Sequence, residues 1–596
     1  MLFGKSVSKR FDSLNHRKIV TTALLILLLL PCVGLVSTVK SQEKKELRFE
    51  MQVLEWDDIS VFAGGAIADL LSEVGIKIDV SALSDEIMYP NLYERPQEYE
   101  IYEMSHGYGA IPTHVYYRMH SANDYAWGDN IFSFHNSTMD ALLDEALAAQ
   151  NFTVMKEALD EVQVVAAENL PYIPLFLSDD THVLRHEWTG EVRVPGGIFT
   201  SFNPMTVVSL RNITALPSGR QGIEFIMASK DVTGTNPTHT TNERTAFMLM
   251  LLYDRMIAYD LNLQPLPWMA QSWSVSPDGK SYTFTLRPGL KWHDNTPLTT
   301  TDVNFTMWYL YEQQPPILWP DIQFLNSTTI VNATTITITL NQTYGWGLYS
   351  LGRLPILPKH KWEGVAYNDT QWDRADYKQI GSGPFKWVER VDGSHWYLDR
   401  FNDHWAWGVY GGNIQRFHWK VITTESARIL AIKAGSADTE RYETDAPYVA
   451  DIGKDPNLRL VVTPSQWDYV LGFNLNAPLL SDVVVRKAIA YALDKDQIVN
   501  LARLGWGTVT NSTIPKAYFP AWYNSETEPY DYDVTMANSL LDAAGYKDVD
   551  NDGIREVPGY VPPLPEYTWY VIAAVVIIIV VAVIAILLRR KPKKKQ

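Results

Sequence analysis

Uncharged apolar runs stand at both ends of this chain, and they decide which side of a membrane everything between them occupies. Tyr567–Leu588 holds about 22 residues without a charge. At about 1.5 Å per residue that length crosses roughly 30 Å of hydrocarbon. Tyr567, Trp569 and Tyr570 supply an interfacial belt on one side; Arg589, Arg590, Lys591 and Lys593–Lys595 stand on the other, where positive residues favour the cytoplasm. The run is rich in Val and Ile, as a buried strand would be, but it is far longer than a strand. A transmembrane helix is therefore expected over 567–588, with a basic cytoplasmic tail at 589–596. Ile19–Val39 is the second apolar run and follows Lys5, Lys9, Arg10, Arg17 and Lys18. Residues 1–40 thus read as a cytoplasmic N-terminus with a signal peptide or an uncleaved signal anchor. On either reading the chain belongs to the cell membrane, with its bulk on the extracellular face.

Composition narrows that bulk. At 596 residues, with 46% hydrophobic and 20% charged residues, it has enough material for two or three packed domains. A formal charge of −17 argues against nucleic acid as a partner and suits a soluble exposed surface. The single cysteine, Cys32, lies in the first apolar run, so intrachain disulfides and cysteine-based zinc sites are excluded. Pro31 stands before it where a bacterial lipoprotein signal wants a small residue, which weighs against lipidation. Nine Asn-x-Ser/Thr sequons, at Asn136, Asn151, Asn212, Asn304, Asn326, Asn332, Asn341, Asn368 and Asn511, fit an outside location and a glycoprotein.

Patterning between the ends is mixed α/β. Leu47–Val53 and Lys77–Ser81 read as strands around a helix at Ala66–Val74 that Gly75 stops. Helices are expected at Thr138–Ala149 and Val154–Asn169, and short strands at Ile173–Leu177 and His182–Leu184. Residues 211–222 carry Pro and Gly punctuation and little periodicity, the mark of an internal linker. Beyond it, Ser281–Leu286 and Thr334–Leu340 alternate as half-buried strands do. Ala246–Met256, Val484–Leu493 and Val534–Ala544 read as helices.

Several segments carry more specific information. Pro265-Leu-Pro-Trp-Met-Ala-Gln-Ser-Trp273, Ser276-Pro-Asp-Gly279 and Tyr282-Thr-Phe-Thr-Leu-Arg287 are followed by Lys291-Trp-His-Asp-Asn-Thr-Pro-Leu-Thr299 and Asp302-Val303. Then come Leu357-Pro-Lys-His360, Gly381-Ser-Gly-Pro-Phe385, Arg400-Phe-Asn-Asp-His-Trp405, Gly472-Phe-Asn474 and Asp482-Val-Val-Val-Arg-Lys-Ala-Ile-Ala-Tyr-Ala-Leu-Asp494. In this order they resemble the first half of the family 5 extracellular solute-binding proteins, the substrate-binding proteins of peptide-type ABC importers. After Leu540-Leu-Asp-Ala-Ala-Gly-Tyr546 that family continues into segments that here stand upstream: Ala66–Ile76, Tyr99-Glu-Ile-Tyr-Glu-Met104, Gly107-Tyr108, Asn136–Ala146 and Asn169–Phe176.

The resemblance implies a two-lobed periplasmic-binding-protein-like fold of the large peptide-binding, type II class, circularly permuted and carrying terminal transmembrane helices. Residues 41–210 would be the family's C-terminal half and 223–560 its N-terminal half. The linker at 211–222 would join the natural ends, since nearby surface termini tolerate permutation. Two chains exchanging halves is the competing arrangement.

The resemblance also implies capture of a peptide or oligosaccharide by lobe closure, delivery to ABC permease subunits, no catalysis and no cofactor. Candidate ligand contacts are Trp467, Tyr469 and Asn474 near the Gly472-Phe-Asn474 motif, Ser382 in its glycine turn, and His106 and Tyr108. Peptide binders of the family hold the ligand amine with an aspartate shortly after the last of these motifs; here Gly107-Tyr-Gly-Ala-Ile111 puts isoleucine there, which favours an oligosaccharide or another neutral ligand. Trp273, Trp292 and Trp405 read as core. An anchored sensor or adhesion protein on the same fold is the alternative. An extracellular hydrolase is less favoured: no HExxH, GxSxG or Cys–His pattern occurs, and Lys359-His360-Lys361 sits in a structural motif. Asp548, Asp550 and Asp552 before Gly553 begin like a calcium loop, but position twelve is Gly559, so a turn held by Asp side chains is the expectation and calcium the alternative.

Overall fold

Strict alternation builds the smaller of the two main sheets. In Ser281–Leu286 and Thr335–Leu340 every second residue is buried, so Tyr282, Phe284, Ile336 and Ile338 face the core and the threonines face outward. The strands pair antiparallel with Thr283 opposite Thr337, and these two hydroxyls hydrogen-bond at 2.9 Å. Ala270–Val275 and Leu325–Ile330 flank them. Both strands thus form where the alternation placed them.

A computed structural model describes residues 45–561 except 215–222, 233, 241, 374–378, 442–443, 445 and 528–529, and beyond them 571, 574–575, 577–579, 581–583 and 585. The chain divides into two compact units, one of residues 49–544 and one of 1–48 with 545–596.

The larger unit is built on an eleven-stranded mixed sheet. Its strands are β1 (Arg48–Leu54), β2 (Lys77–Leu83), β3 (Ile101–Gly107), β4 (Tyr172–Arg185), β5 (Glu224–Ser229), β6 (Phe385–Val391), β7 (His395–Arg400), β8 (Arg416–Val421), β9 (Thr439–Glu440), β10 (Leu458–Phe473) and β11 (Gly507–Val509). They run in the order β6-β7-β8-β5-β9-β4-β10-β3-β1-β2, with β11 on the side of β4. β10, from the second half of the sequence, therefore lies antiparallel between β4 and β3 of the first half. The two halves share one sheet within one chain. The strands expected at 173–177 and 182–184 are one strand, β4, because β10 pairs with its whole length, from Leu458 opposite Arg185 to Gly472 opposite Tyr172. That ladder shifts register between Pro464 and Asp468 and again between Tyr469 and Val470. The first irregularity re-aims the side chains of Ser465–Trp467.

Helices cover the sheet where capping residues start them. Asp57 caps Asp58–Ser72, Asn136 caps Ser137–Leu147, Asn151 caps Phe152–Asn169, and a Thr299–Asp302 capping box opens Thr300–Gln313. The helix expected at 246–256 runs instead over Glu243–Leu252 and is capped by Asn242. It stops early because the glycine turn packs onto its last carbonyls: the Gly383 N–H donates to Leu252 O at 2.8 Å. A Cβ on Gly381 would lie 1.8 Å from that same oxygen. Of the tryptophans expected in the core, Trp292 is fully buried, while Trp273 and Trp405 are partly buried against it.

In the smaller unit, residues 45–47 and 547–557 hold one another through backbone bonds, including Leu47 N–H to Arg555 O at 2.7 Å. The apolar run at 19–39 and residues 215–222 of the linker lie outside the described residues. So does much of 567–588; its described positions are helical, with Val571, Val575, Ile577–Ile579, Val581 and Val583 exposed. No helix among the described residues is long and apolar enough to cross a membrane.

Candidate functional site

A cavity of about 560 Å³ opens where the two halves of the sequence meet. One wall is Tyr108–Ile111, Thr113, Tyr117 and Gln466; the other comes from 237–259 and 317–355, and Ser201-Phe202 lies at the junction. Depressions of about 580 Å³ and about 970 Å³ lie elsewhere, but each draws on the second half alone.

The first wall follows from the irregularity in β10. Where the register shifts, Gln466 turns its carbonyl to accept the Tyr108 N–H at 2.9 Å, and this holds the segment that leaves β3 against the cavity. The Tyr108 hydroxyl donates a short hydrogen bond to Asp468, and its ring lies 4.4 Å from that of His114. Asp468 is fully buried, and burial pushes its pKa up to about 7 against the opposing pull of Tyr108 and Arg118. Tyr108 is itself buried, its hydroxyl taken by Asp468 and its ring packed among His114, Tyr518 and Phe519. Beside it Gly109, Ala110 and Ile111 bring no charge.

The opposite wall is carried by Tyr253-Asp254-Arg255, where the buried helix gives way to extended chain. Asp254 is buried and fixed by both carboxylate oxygens: Oδ1 accepts from Trp268 Nε1 at 2.7 Å and Oδ2 pairs with His404 Nε2 at 3.0 Å. Its backbone N–H donates to Ser382 Oγ at 3.2 Å. The next residue, Arg255, is thereby presented to the cavity from a rigid base. Burial first, then the charge of Arg353, lower its pKa to about 10, so it remains a cation at neutral pH. Glu243 accepts from Ser201 N–H at 3.0 Å, Ser201 Oγ at 2.9 Å and Arg441 Nη2 at 3.0 Å. Asp321 and Arg353 form a close ion pair.

Of the six residues expected to contact ligand, Tyr108 lines this cavity and the structure places the other five elsewhere. Ser382 is buried and holds the Asp254 backbone. Asn474 is a local brace: its Nδ2 donates to Tyr99 O at 2.9 Å, and its Oδ1 accepts from Asn476 N–H at 3.0 Å. Tyr469 stacks on Phe176 with centroids 4.8 Å apart. His106 exchanges a 3.0 Å hydrogen bond with the Tyr102 hydroxyl, and burial holds its pKa well below the usual imidazole range. Trp467 packs over Gly107 and is 42% exposed. Alternation along β10 accounts for Trp467 and Tyr469, since the shift turns Gln466 to the cavity in their place. Arg255 and Glu243 were missed; the available signal was a charged pair, Asp254-Arg255, at the end of an otherwise apolar segment.

His360, in the Lys359-His360-Lys361 segment, pairs with Asp294 at 2.8 Å. The acidic loop forms the expected turn: Asp548 Oδ1 accepts from Asn551 N–H at 2.7 Å, and Asp550 and Asp552 accept from backbone N–H groups two residues on. Glu556, not Gly559, supplies a fourth carboxylate, the four offering oxygens within 4.8 Å of one another. Its Oε2 is engaged by the Val549 N–H at 2.8 Å.

Comparison with known proteins gives this arrangement a family. Bacterial extracellular solute-binding proteins, family 5 Middle, match residues 264–577. The chain belongs to that family. It is 28% identical to heme-binding protein A of Haemophilus influenzae over 50% of this chain and 56% of that protein. It is 26% identical to the dipeptide-binding protein of Escherichia coli, covering 49% and 58%. With the oligopeptide-binding protein AppA of Bacillus subtilis the identity is 27%, covering 57% and 62%. The chain thus spans less than two thirds of the length of these relatives. Similar solved structures include NikZ of Campylobacter jejuni in complex with Ni(L-His), at 24% identity and a TM-score of 0.43 over 57% of this chain and 66% of that one. The AppA structure of Bacillus subtilis with a nonapeptide aligns at 23% identity and a TM-score of 0.42, over 57% and 68%.

Proposed function

We propose that this chain is an extracellular solute-binding protein that captures a small molecule in the cavity between 108–117 and 237–355 and hands it to the permease of an ABC importer. The observation that carries the reading is the cavity itself, walled by both halves of the sequence around the β4–β10 ladder. Family membership supports it. Peptides and oligosaccharides are the solute classes to test; two of the relatives are named for dipeptide and oligopeptide binding. The irregular Pro464–Asp468 stretch is the natural place for two lobes to flex as they close on solute.

In this reading the chain is a circular permutant of the family. The pairing of β10 between β3 and β4 can be made within one chain, as a permutant requires. The run at 567–588 anchors it, the run at 19–39 serves as a cleaved signal peptide or a second anchor, and the binding unit lies on the extracellular face. All nine sequon asparagines are exposed or half-buried, which leaves them open to glycosylation.

The test is calorimetry and thermal shift of the full chain against peptides and oligosaccharides. A ligand that binds only the native state raises the melting temperature. Selective, saturable stabilisation at one ligand per chain supports capture; turnover of the ligand without stoichiometric binding refutes it.

A further inference from the structure

We propose that Arg255 is an anion-recognition residue of this cavity and that the captured solute carries a carboxylate. The inference rests on the solute-capture reading above and narrows it. Four charged side chains line the cavity among the described residues: Glu243, Arg255, Asp321 and Arg353. Three have partners of their own, Glu243 with Ser201 and Arg441, and Asp321 with Arg353. The Arg255 side chain is half-buried and has no hydrogen-bond or ion-pair partner among the described residues; its Nε is buried without an acceptor, and only its backbone carbonyl is engaged, by the Met269 N–H at 3.3 Å.

A buried donor left unpaired is costly, and more so when it belongs to a cation. Native chains retain few such groups, and this one stands on a cavity wall, where an arriving ligand can supply the missing acceptor. The guanidinium is a planar fork that matches a carboxylate through two parallel N–H···O bonds. Its mounting suits that role: Trp268, His404 and Ser382 lock Asp254, so the backbone that carries the fork is fixed before the ligand arrives. Glu243 and Asp321 are near enough to act on Arg255 through space but make no ion pair with it. Across the cavity, Gly109–Ile111 offers no carboxylate for a cationic group. The free charge in the site is therefore positive, and a neutral sugar would leave it unanswered.

The experiment uses the purified full chain, calorimetry, and three probes: trialanine, trialanine amide and maltotriose. Trialanine is expected to bind at least about 30-fold more tightly than its amide, the factor of a charge-assisted hydrogen-bonded pair. Arg255→Met is expected to erase that preference while melting, without ligand, at the same temperature or higher, because it removes a half-buried cation whose Nε has no acceptor. Arg255→Lys keeps the charge without the fork and should retain part of the preference. Equal affinity for acid and amide, selective binding of maltotriose, or an unchanged preference in Arg255→Met overturns the inference and leaves capture standing. Silence from all three probes and from a wider panel of peptides and oligosaccharides overturns the capture reading and this inference with it.

Discussion

Removing the Asp254 carboxylate should expose how the cavity wall is held. In Asp254→Ala the Trp268 indole N–H and the His404 Nε2 lose their acceptor together. Both rings are buried, so neither group can turn to water. Each unsatisfied buried donor costs about 1–3 kcal/mol, giving roughly 2–6 kcal/mol for the pair. For a unit of roughly 500 residues, at about 2.1 cal/mol/K of unfolding entropy per residue, each kcal/mol moves the melting temperature by about 1 °C. Scanning calorimetry should therefore find Asp254→Ala lower by about 2–6 °C. Asp254→Asn keeps one acceptor oxygen and should lose about half of that. Trp268→Phe removes one of the donors, so the double variant should cost less than the sum of the singles by about 1 kcal/mol. A shift below 1 °C in Asp254→Ala, or strict additivity with Trp268→Phe, would refute the reasoning.

Glu103 gives a pH test. It is fully buried on β3 with neither carboxylate oxygen hydrogen-bonded, and burial first, with the Asp57 carboxylate adding to it, pushes its pKa from 4.5 up to about 8. Between those values the unfolded chain releases the proton and the folded chain keeps it, so stability falls as pH rises through that window. Glu103→Gln should stabilise by up to on the order of 3 kcal/mol at pH 7 and by almost nothing near pH 4; equal gains at both pH values in thermal melts would count against it. Gly381→Ala should fail to fold, since its Cβ would meet Leu252 O at 1.8 Å, whereas Gly109→Ala has nothing within 4 Å and should stay within about 0.5 kcal/mol of the parent; urea melts of the two separate steric need from accident. If the sequons carry glycans, peptide N-glycosidase should increase the gel mobility of the chain made in a glycosylating host, and an unchanged band there removes the glycoprotein proposal.

What could be read from the sequence was local. The Ser-Tyr-Thr-Phe-Thr-Leu and Thr-Ile-Thr-Ile-Thr-Leu alternations fixed their strands, because burial on one face leaves a period of two. Asn136 marked a helix start by the side chain that caps it. The family was legible because its motifs are short, ordered and numerous. The site was not, since its members are brought together by pairings that periodicity does not encode. Register shifts in β10, between Pro464 and Asp468 and again between Tyr469 and Val470, decided that Gln466 reaches the cavity and Tyr469 does not. The glycine turn reads equally as a ligand approach or a structural turn, and the backbone it lets in is the protein's own, at Leu251 and Leu252. Arg255 was invisible because its place on the cavity wall with an unanswered Nε exists only in three dimensions.

The position of β10 also sets a timetable. β1 to β4 emerge early, but the strand that separates β3 from β4 is made much later. At about 5–20 residues per second, the roughly 290 residues from the end of β4 to the end of β10 take about 15–60 s to appear. Through that interval β3 and β4 present unpaired edges with no neighbour yet synthesised. The chain is thus obliged to wait for its own middle, and a holding factor that covers strand edges during synthesis should raise its yield more than one that acts on the finished protein.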